Sequence, residues 1–182
     1  MCVECYLSTD RDIADIPFDE RNRKFNLQKI AERPLPCLTK RFVYSCGSNT
    51  YCGCEFTNSS ITEELLQQTE RELCAGALCK KTSMRWWNDL RYFPPPETLE
   101  QFHQVAEIIR MARNDTLALY GLIIETWKNG YASEFLAFWS GEQNCLMTIY
   151  DIDLRHDPIA IDFDPLKEAM GGEILLYRFP RV

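Results

Sequence analysis

The chain has 182 residues, of which 46% are hydrophobic, 12% aromatic and 26% charged, and its formal net charge is −7. This composition is typical of a globular protein with its own core, which argues against the collagen-like, disordered and membrane classes. An acidic chain gains nothing from attraction to phosphates, so we expect no binding to nucleic acid.

The first third of the chain predicts three strands separated by loops. Residues 2–7 and 41–46 are short β-compatible runs, and residues 24–30 alternate apolar with polar side chains. Residues 10–20 form a loop between the first two strands. Residues 47–58 are rich in Gly, Ser, Asn, Thr and Cys, which is typical of a second loop.

The middle of the chain predicts helices. Thr62 is followed by two acidic residues, a favourable helix start, and we expect that helix to cover residues 62–78. A capping box that begins at Thr98 predicts a helix over residues 98–113. A second helix is expected over residues 115–130, because Asp stands at its start and Gly at its end.

The last third predicts the rest of the sheet. Residues 131–139 and 145–154 have strand character and are separated by a short turn, so we expect an antiparallel hairpin. Residues 165–170 fit a short helix, and residues 173–179 fit a final strand of the same sheet. The expected fold is therefore α+β, with helices packed against a mixed or mainly antiparallel sheet.

The pattern predicts one domain over residues 1–182, with an insertion at residues 57–97 that ends in a triple proline. The start of the chain has no basic and apolar signal-peptide pattern, and no apolar run is long enough to cross a bilayer. We expect a cytosolic protein that does not bind membranes. Its nine cysteines are then interpreted as reduced thiols rather than disulfides.

The most unusual segment covers residues 46–56 and is read Cys-Gly-Ser-Asn-Thr-Tyr-Cys-Gly-Cys-Glu-Phe. It places three thiols and two glycines in a loop directly after a predicted strand. Glycine tolerates the backbone angles that let side chains converge on one point. The candidate ligand-binding residues are Cys46, Gly47, Ser48, Cys52, Gly53 and Cys54.

One hypothesis for this segment is a zinc site formed by Cys46, Cys52 and Cys54. The spacing is not that of paired zinc ligands, and a fourth ligand is missing. The residues that could supply it are Cys37, Cys74, Cys79, His103 and His156, and the sequence favours none of them. Zinc is therefore possible but not favoured over a structural turn. A second hypothesis gives Cys52 or Cys54 a lowered pKa and a nucleophilic or redox role.

Other cysteine and acidic clusters are interpreted structurally. Cys2 and Cys5 point to opposite faces of a strand, and Cys74 and Cys79 point to different sides of a helix, so both pairs are predicted to be core residues. The acidic run from residue 10 to residue 15 lacks the glycine and distal glutamate of a calcium-binding loop.

Several short stretches are similar to an uncharacterised group of small bacterial proteins. They are Tyr-Leu-Ser-Thr-Asp at residues 6–10, Ile-Pro-Phe-Asp-Glu at 16–20, and Gly-Ser at 47–48 leading into Cys-Gly-Cys-Glu-Phe at 52–56. The resemblance covers about the first third of the chain and, more loosely, residues 117–139. It implies membership of a family but no activity.

Three functional hypotheses follow from these residues. The first is a cytosolic ligand-binding or partner-binding domain with the Cys-Gly-Cys loop at its site. The second is a thiol-dependent enzyme that uses Cys52 or Cys54. The third is an acidic protein-interaction module, with the aromatic and basic residues 85–93 as its contact surface.

Overall fold

The computed structural model describes residues 3–19, 24–48, 56, 61–75, 96, 98–139, 146–156 and 174–181. In these residues the fold is α+β, as predicted, with a six-stranded mixed sheet and two helices. The strands are β1 (Val3–Thr9), β2 (Asn26–Ile30), β3 (Phe42–Gly47), β4 (Ser133–Trp139), β5 (Met147–Asp151) and β6 (Ile174–Phe179). The helices are α1 (Glu63–Cys74) and α2 (Leu99–Lys128).

The strand order across the sheet is β2-β3-β1-β4-β6-β5, and only the β5–β6 pair is parallel. The predicted hairpin of residues 131–139 with 145–154 is therefore wrong, because β6 lies between β4 and β5. The reason is visible in burial. Leu175 and Leu176 of β6 point to opposite faces and are both fully buried, whereas β5 alternates exposed and half-buried residues. A strand that is apolar on both sides belongs inside the sheet.

One face of the sheet, which we call the helix face, packs against α2. Cys5 and Leu7 of β1 point to this face and share a core with Leu119 and Ile123 of α2. The intervening residues of β1 point to the opposite face, as the alternation of a strand requires. The predicted burial of Cys5 is confirmed.

Helix α2 runs without a break through residues where the sequence predicts two helices, over 98–113 and 115–130. That prediction is wrong, because no proline or glycine interrupts the junction and the side chain of Asp115 does not cap a helix. Its carboxylate accepts hydrogen bonds from other parts of the chain instead. The predicted ends are confirmed: Thr98 caps the start, and Gly130 follows the helix with a φ of 80° that suits glycine.

The two halves of α2 have different neighbours. Its first half packs Phe102, Ala106 and Ile109 against α1, whose start is capped by Thr62 as predicted. Its second half lies on the sheet. Among the described residues, no helix is long and apolar enough to cross a membrane. Helix α1 lies within residues 57–97, and the interpretation of that region as an insertion stays a prediction.

Residues 12–16, which follow β1, bind along the outer edge of β2. Ile16 exchanges two backbone hydrogen bonds with Leu27, and the Asp15 carboxylate accepts one from the amide of Lys29. The Lys29 ammonium lies 2.6 Å from a carboxylate oxygen of Asp12. Hydrogen bonds from Lys29 and then from a tyrosine hydroxyl hold the pKa of Asp12 below its usual value. Asp12 and Asp15 therefore form structural contacts with β2.

On the opposite face, a buried carboxylate attaches the connection between β2 and β3 to the centre of the sheet. Glu134 of β4 is only 2% exposed. One of its oxygens accepts from the Ser8 hydroxyl at 2.8 Å and the Thr39 amide at 2.7 Å, and the other accepts from the Thr39 hydroxyl at 2.6 Å. Burial alone would raise the pKa of Glu134, but these bonds outweigh burial, and the pKa is lowered.

We predict that Glu134→Ala lowers the free energy of unfolding by about 2–4 kcal/mol, since it leaves buried donors without an acceptor. Glu134→Gln keeps an acceptor and removes the charge, so we expect a loss of about 1 kcal/mol at neutral pH. The lowered pKa makes the charged carboxylate stabilising above the unfolded value of about 4.3. This contribution is lost as pH falls through the folded pKa.

Urea unfolding of the parent chain and of Glu134→Gln across a pH series measures this effect. The difference between the two should shrink as the pH falls and should vanish below the folded pKa of Glu134. A difference that stays constant over the whole range would contradict the assignment of a charged, hydrogen-bonded carboxylate.

Candidate functional site

The structure describes both ends of the 46–56 segment. Cys46, Gly47 and Ser48 lie at its start and Phe56 at its end, while residues 49–55, including Cys52, Gly53 and Cys54, lie outside the described residues.

Cys46 lies on the helix face of β3, directly opposite Cys5 of β1 and Leu27 of β2. It is buried in the core, and burial raises the pKa of its thiol. A buried neutral thiol behaves as a small apolar side chain. In this position Cys46 packs the sheet. Burial disfavours the thiolate form that zinc requires, and it outweighs a backbone hydrogen bond at Leu7 that favours that form.

Gly47 is the last residue of β3 rather than the first residue of a loop. Its backbone lies opposite Asn26, and a Cβ atom at Gly47 would stand 2.6 Å from the side-chain oxygen of Asn26. The amide of Asn26 has little freedom to move away, because it is buried and its nitrogen donates to the Ser48 carbonyl at 2.9 Å. Only glycine fits at residue 47 without displacing this contact.

Ser48 connects the end of β3 to helix α2. Its hydroxyl donates to one carboxylate oxygen of Asp115 at 2.8 Å, and the amide of Phe25 donates to the other at 2.7 Å. Asp115 is 4% exposed and Ser48 is fully buried. A buried carboxylate needs such donors to remain charged. Asp115 therefore joins three segments: the entry to β2, the exit from β3 and the middle of α2.

The other end of the segment is held by aromatic packing. Phe56 is buried in the helix-face core, and its ring lies 6.5 Å from that of Phe25, measured between centroids. Phe25 is thus linked to both ends: to Ser48 through the Asp115 carboxylate, to which both donate, and to Phe56 through its ring. We call Phe25, Asn26, Ser48, Phe56 and Asp115 the loop base.

The loop base is suited to support rather than to react. Both oxygens of the Asp115 carboxylate accept hydrogen bonds from the protein, and the serine hydroxyl beside it is buried. A nucleophilic serine needs a base to take its proton and an approach for substrate. Ser48 and Asp115 are both buried, and the hydrogen bond between them fixes the position of residue 48.

The residues considered as a fourth metal ligand do not gather in the described part of the chain. Among those residues, no group of three or more Cys, His, Asp and Glu side chains is arranged to hold a metal ion. His103 contacts Glu70 on the surface at 2.7 Å, and His156 is exposed. Burial is the main reason that the pKa of Cys37 is raised. Cys79 lies outside the described residues.

Cys74 is the last residue of α1 and is exposed, so its predicted burial is wrong. The buried face of α1 passes through Leu66, Thr69 and Leu73. One further residue turns the side chain by about 100°, away from that face.

Two site residues were missed from the sequence. Asp115 looked like a helix cap, because it follows Arg113 and Asn114 and stands just before an apolar stretch. Asn26 looked like an ordinary polar position of a half-exposed strand. The role of Asn26 is not visible without the register that places it beside Gly47.

Comparison with known proteins gives no further guide to the site. No family model, no curated protein and no solved structure matches the chain.

We predict that Asp115→Ala lowers the free energy of unfolding by about 2–4 kcal/mol, because the buried Phe25 amide and Ser48 hydroxyl lose their acceptor. The matched control is Asn114→Ala, the neighbouring exposed position of the same helix, where a change within about 0.5 kcal/mol is expected. Chemical unfolding of the three proteins measures both values. Equal effects of the two substitutions would contradict the role of Asp115.

Proposed function

We propose that this protein is a cytosolic binding domain that presents residues 49–55, with Cys52, Gly53 and Cys54, to a ligand or protein partner. The observation that carries the proposal is the loop base. Asp115 fixes the residue before this stretch to α2, and the Phe56 ring fixes the residue after it in the core.

A loop held at both ends by a rigid scaffold is the usual way in which proteins display binding residues. Seven residues lie between Ser48 and Phe56. Fixed ends reduce the conformational entropy that a short connection loses on binding. The buried side chains of the loop base support the display and leave the contacts to residues 49–55.

The resemblance to the uncharacterised bacterial group agrees with this proposal. The Gly-Ser pair of that group corresponds to Gly47 and Ser48. Gly47 leaves room for the Asn26 side chain, and the Ser48 hydroxyl donates to Asp115. We propose that a Gly-Ser pair before Cys-Gly-Cys marks the same support wherever it occurs. The proposed partner is a protein or a small molecule rather than nucleic acid, given the net charge of −7.

The full or partial burial of two cysteines favours the binding proposal over metal binding and thiol catalysis. With Cys46 packed in the core, the segment keeps two thiols for a metal that takes four ligands. Burial also raises the pKa of Cys37, which is the opposite of what a nucleophilic thiol needs. Neither Cys37 nor Cys46 therefore suits a thiol enzyme, and that hypothesis stays with Cys52 or Cys54.

Alkylation of cysteines tests the proposal without knowledge of the ligand. The protein is treated briefly with iodoacetamide at neutral pH, once purified and once in extract of the cells that make it, and the modified cysteines are quantified by mass spectrometry. If residues 49–55 bind a ligand or partner, Cys52 and Cys54 should be labelled several-fold more slowly in extract. Cys74 is exposed at the end of α1 and is the internal control, with equal labelling expected in both samples.

Equal labelling of Cys52 and Cys54 in the two samples would contradict the binding proposal. In the purified protein, labelling of either residue far ahead of Cys74 would instead favour the thiol enzyme, because a lowered pKa accelerates alkylation.

A further inference from the structure

The two edges of the sheet are treated differently by the chain. At the β2 edge, three backbone groups of Leu27 and Lys29 that point away from β3 already have hydrogen-bond partners. Leu27 is bonded through both its N–H and its C=O to Ile16, and the Lys29 N–H donates to Asp15. Proteins cover edge strands in this way to prevent pairing with another chain.

In the part of the chain that the structure describes, no strand lies beyond β5. The Ile152 amide donates to the Arg178 carbonyl, and the Leu146 carbonyl accepts from the Ile174 amide. Even-numbered residues along β5 therefore direct their backbone groups to β6. The backbone groups of Met147, Ile149 and Asp151 therefore point outward, since a strand alternates from one residue to the next. In the described part of the chain, no backbone or side-chain hydrogen bond reaches these outward groups.

Apolar side chains line the same edge. Leu146 is 81% exposed, Met147 44% and Ile149 40%. Met147 and Ile149 lie on the same face of the sheet as Asp151. The residue of β6 beside Asp151 is Arg178. An edge strand that combines unpaired backbone groups with exposed apolar side chains is a ready site for addition of another strand.

We propose that β5 pairs with β5 of a second copy of this chain in antiparallel orientation. The twofold axis would lie midway between the two Ile149 residues. A twofold axis perpendicular to the strand reverses the strand direction. Two β5 strands related by such an axis therefore pair antiparallel. In this register Ile149 faces its own counterpart, and Met147 faces Asp151 of the second copy. It is the only register that pairs all three outward residues with one another.

The charges of β5 fit this arrangement. No two like charges stand opposite each other, because each Asp151 faces a methionine and keeps Arg178 as its neighbour within its own sheet. Moving the axis to Asp151 would place two carboxylates opposite each other, which destabilises a strand pair. Each paired residue exchanges two hydrogen bonds with its counterpart, and the two Ile149 side chains form an apolar pair at the centre.

This dimer would leave the proposed binding site free. Four strands of the sheet order separate β3, which carries Gly47, from the outer side of β5. The two loop bases would therefore lie toward the outer ends of a continuous sheet, and the dimer would present two sites. The interface contains one strand from each copy and is small, so the dissociation constant is expected to be on the order of micromolar.

Sedimentation analysis of the full chain, at concentrations from micromolar to millimolar, tests the proposal with three variants. Ile149→Lys places two like charges opposite each other on the axis and should raise the dissociation constant at least tenfold. Met147→Lys places a cation opposite Asp151 of the second copy and should leave the dimer unchanged or tighter. Leu117→Lys alters a residue of α2 that is as exposed as Ile149, at 40%, and should have no effect.

All three substitutions are at exposed positions, so the thermal unfolding of each variant should match that of the parent chain at concentrations where the parent is monomeric. A parent chain that stays monomeric at every concentration would overturn the proposal. Equal weakening by Met147→Lys and Ile149→Lys would also overturn it, because the charge pairing of the proposed register would then be wrong.

Discussion

The arrangement of this protein depends on one buried carboxylate. Asp115 accepts hydrogen bonds from the Ser48 hydroxyl and the Phe25 amide, and so attaches the middle of α2 to the end of β3 and the start of β2. Charge-assisted hydrogen bonds of this kind are stronger than neutral ones, and they fix both distance and direction. The packing of α2 on the helix face and the starting position of the 49–55 stretch both follow from this contact.

Glu134 has an equivalent role on the opposite face, where it attaches Thr39 to the centre of the sheet. Within the described residues, Asp115 and Glu134 are thus buried acids on opposite sides of the sheet, and the donors of each come from residues distant in sequence. Apolar packing alone is non-directional and tolerates some sliding of segments, whereas a carboxylate with two or three fixed donors tolerates very little. The two acids therefore account for the definite positions of the connections that leave β2 and β3.

The fold class and most elements could be predicted because their signals are local. Thr98 and Gly130 have the chemistry of a helix start and a helix end, and the alternation of apolar residues gave the strands of the first third. The order of the strands could not be predicted, since it depends on which strand buries both faces. The role of Asp115 was missed for a similar reason: its donors lie 67 and 90 residues away along the chain. Cys46 is a part of the candidate site that the sequence identified as unusual, but its burial depends on its neighbours in β1 and β2.

Hydrogen exchange at the Phe25 amide tests the central claim most directly. Phe25 precedes β2, so the sheet ladder does not protect its amide, and the acceptor of this N–H is the Asp115 carboxylate. The contact predicts that this amide exchanges as slowly as the core amides of β3. Exchange as fast as that of the exposed neighbour Lys24 would contradict it, and with it the claim that Asp115 fixes the loop base to α2.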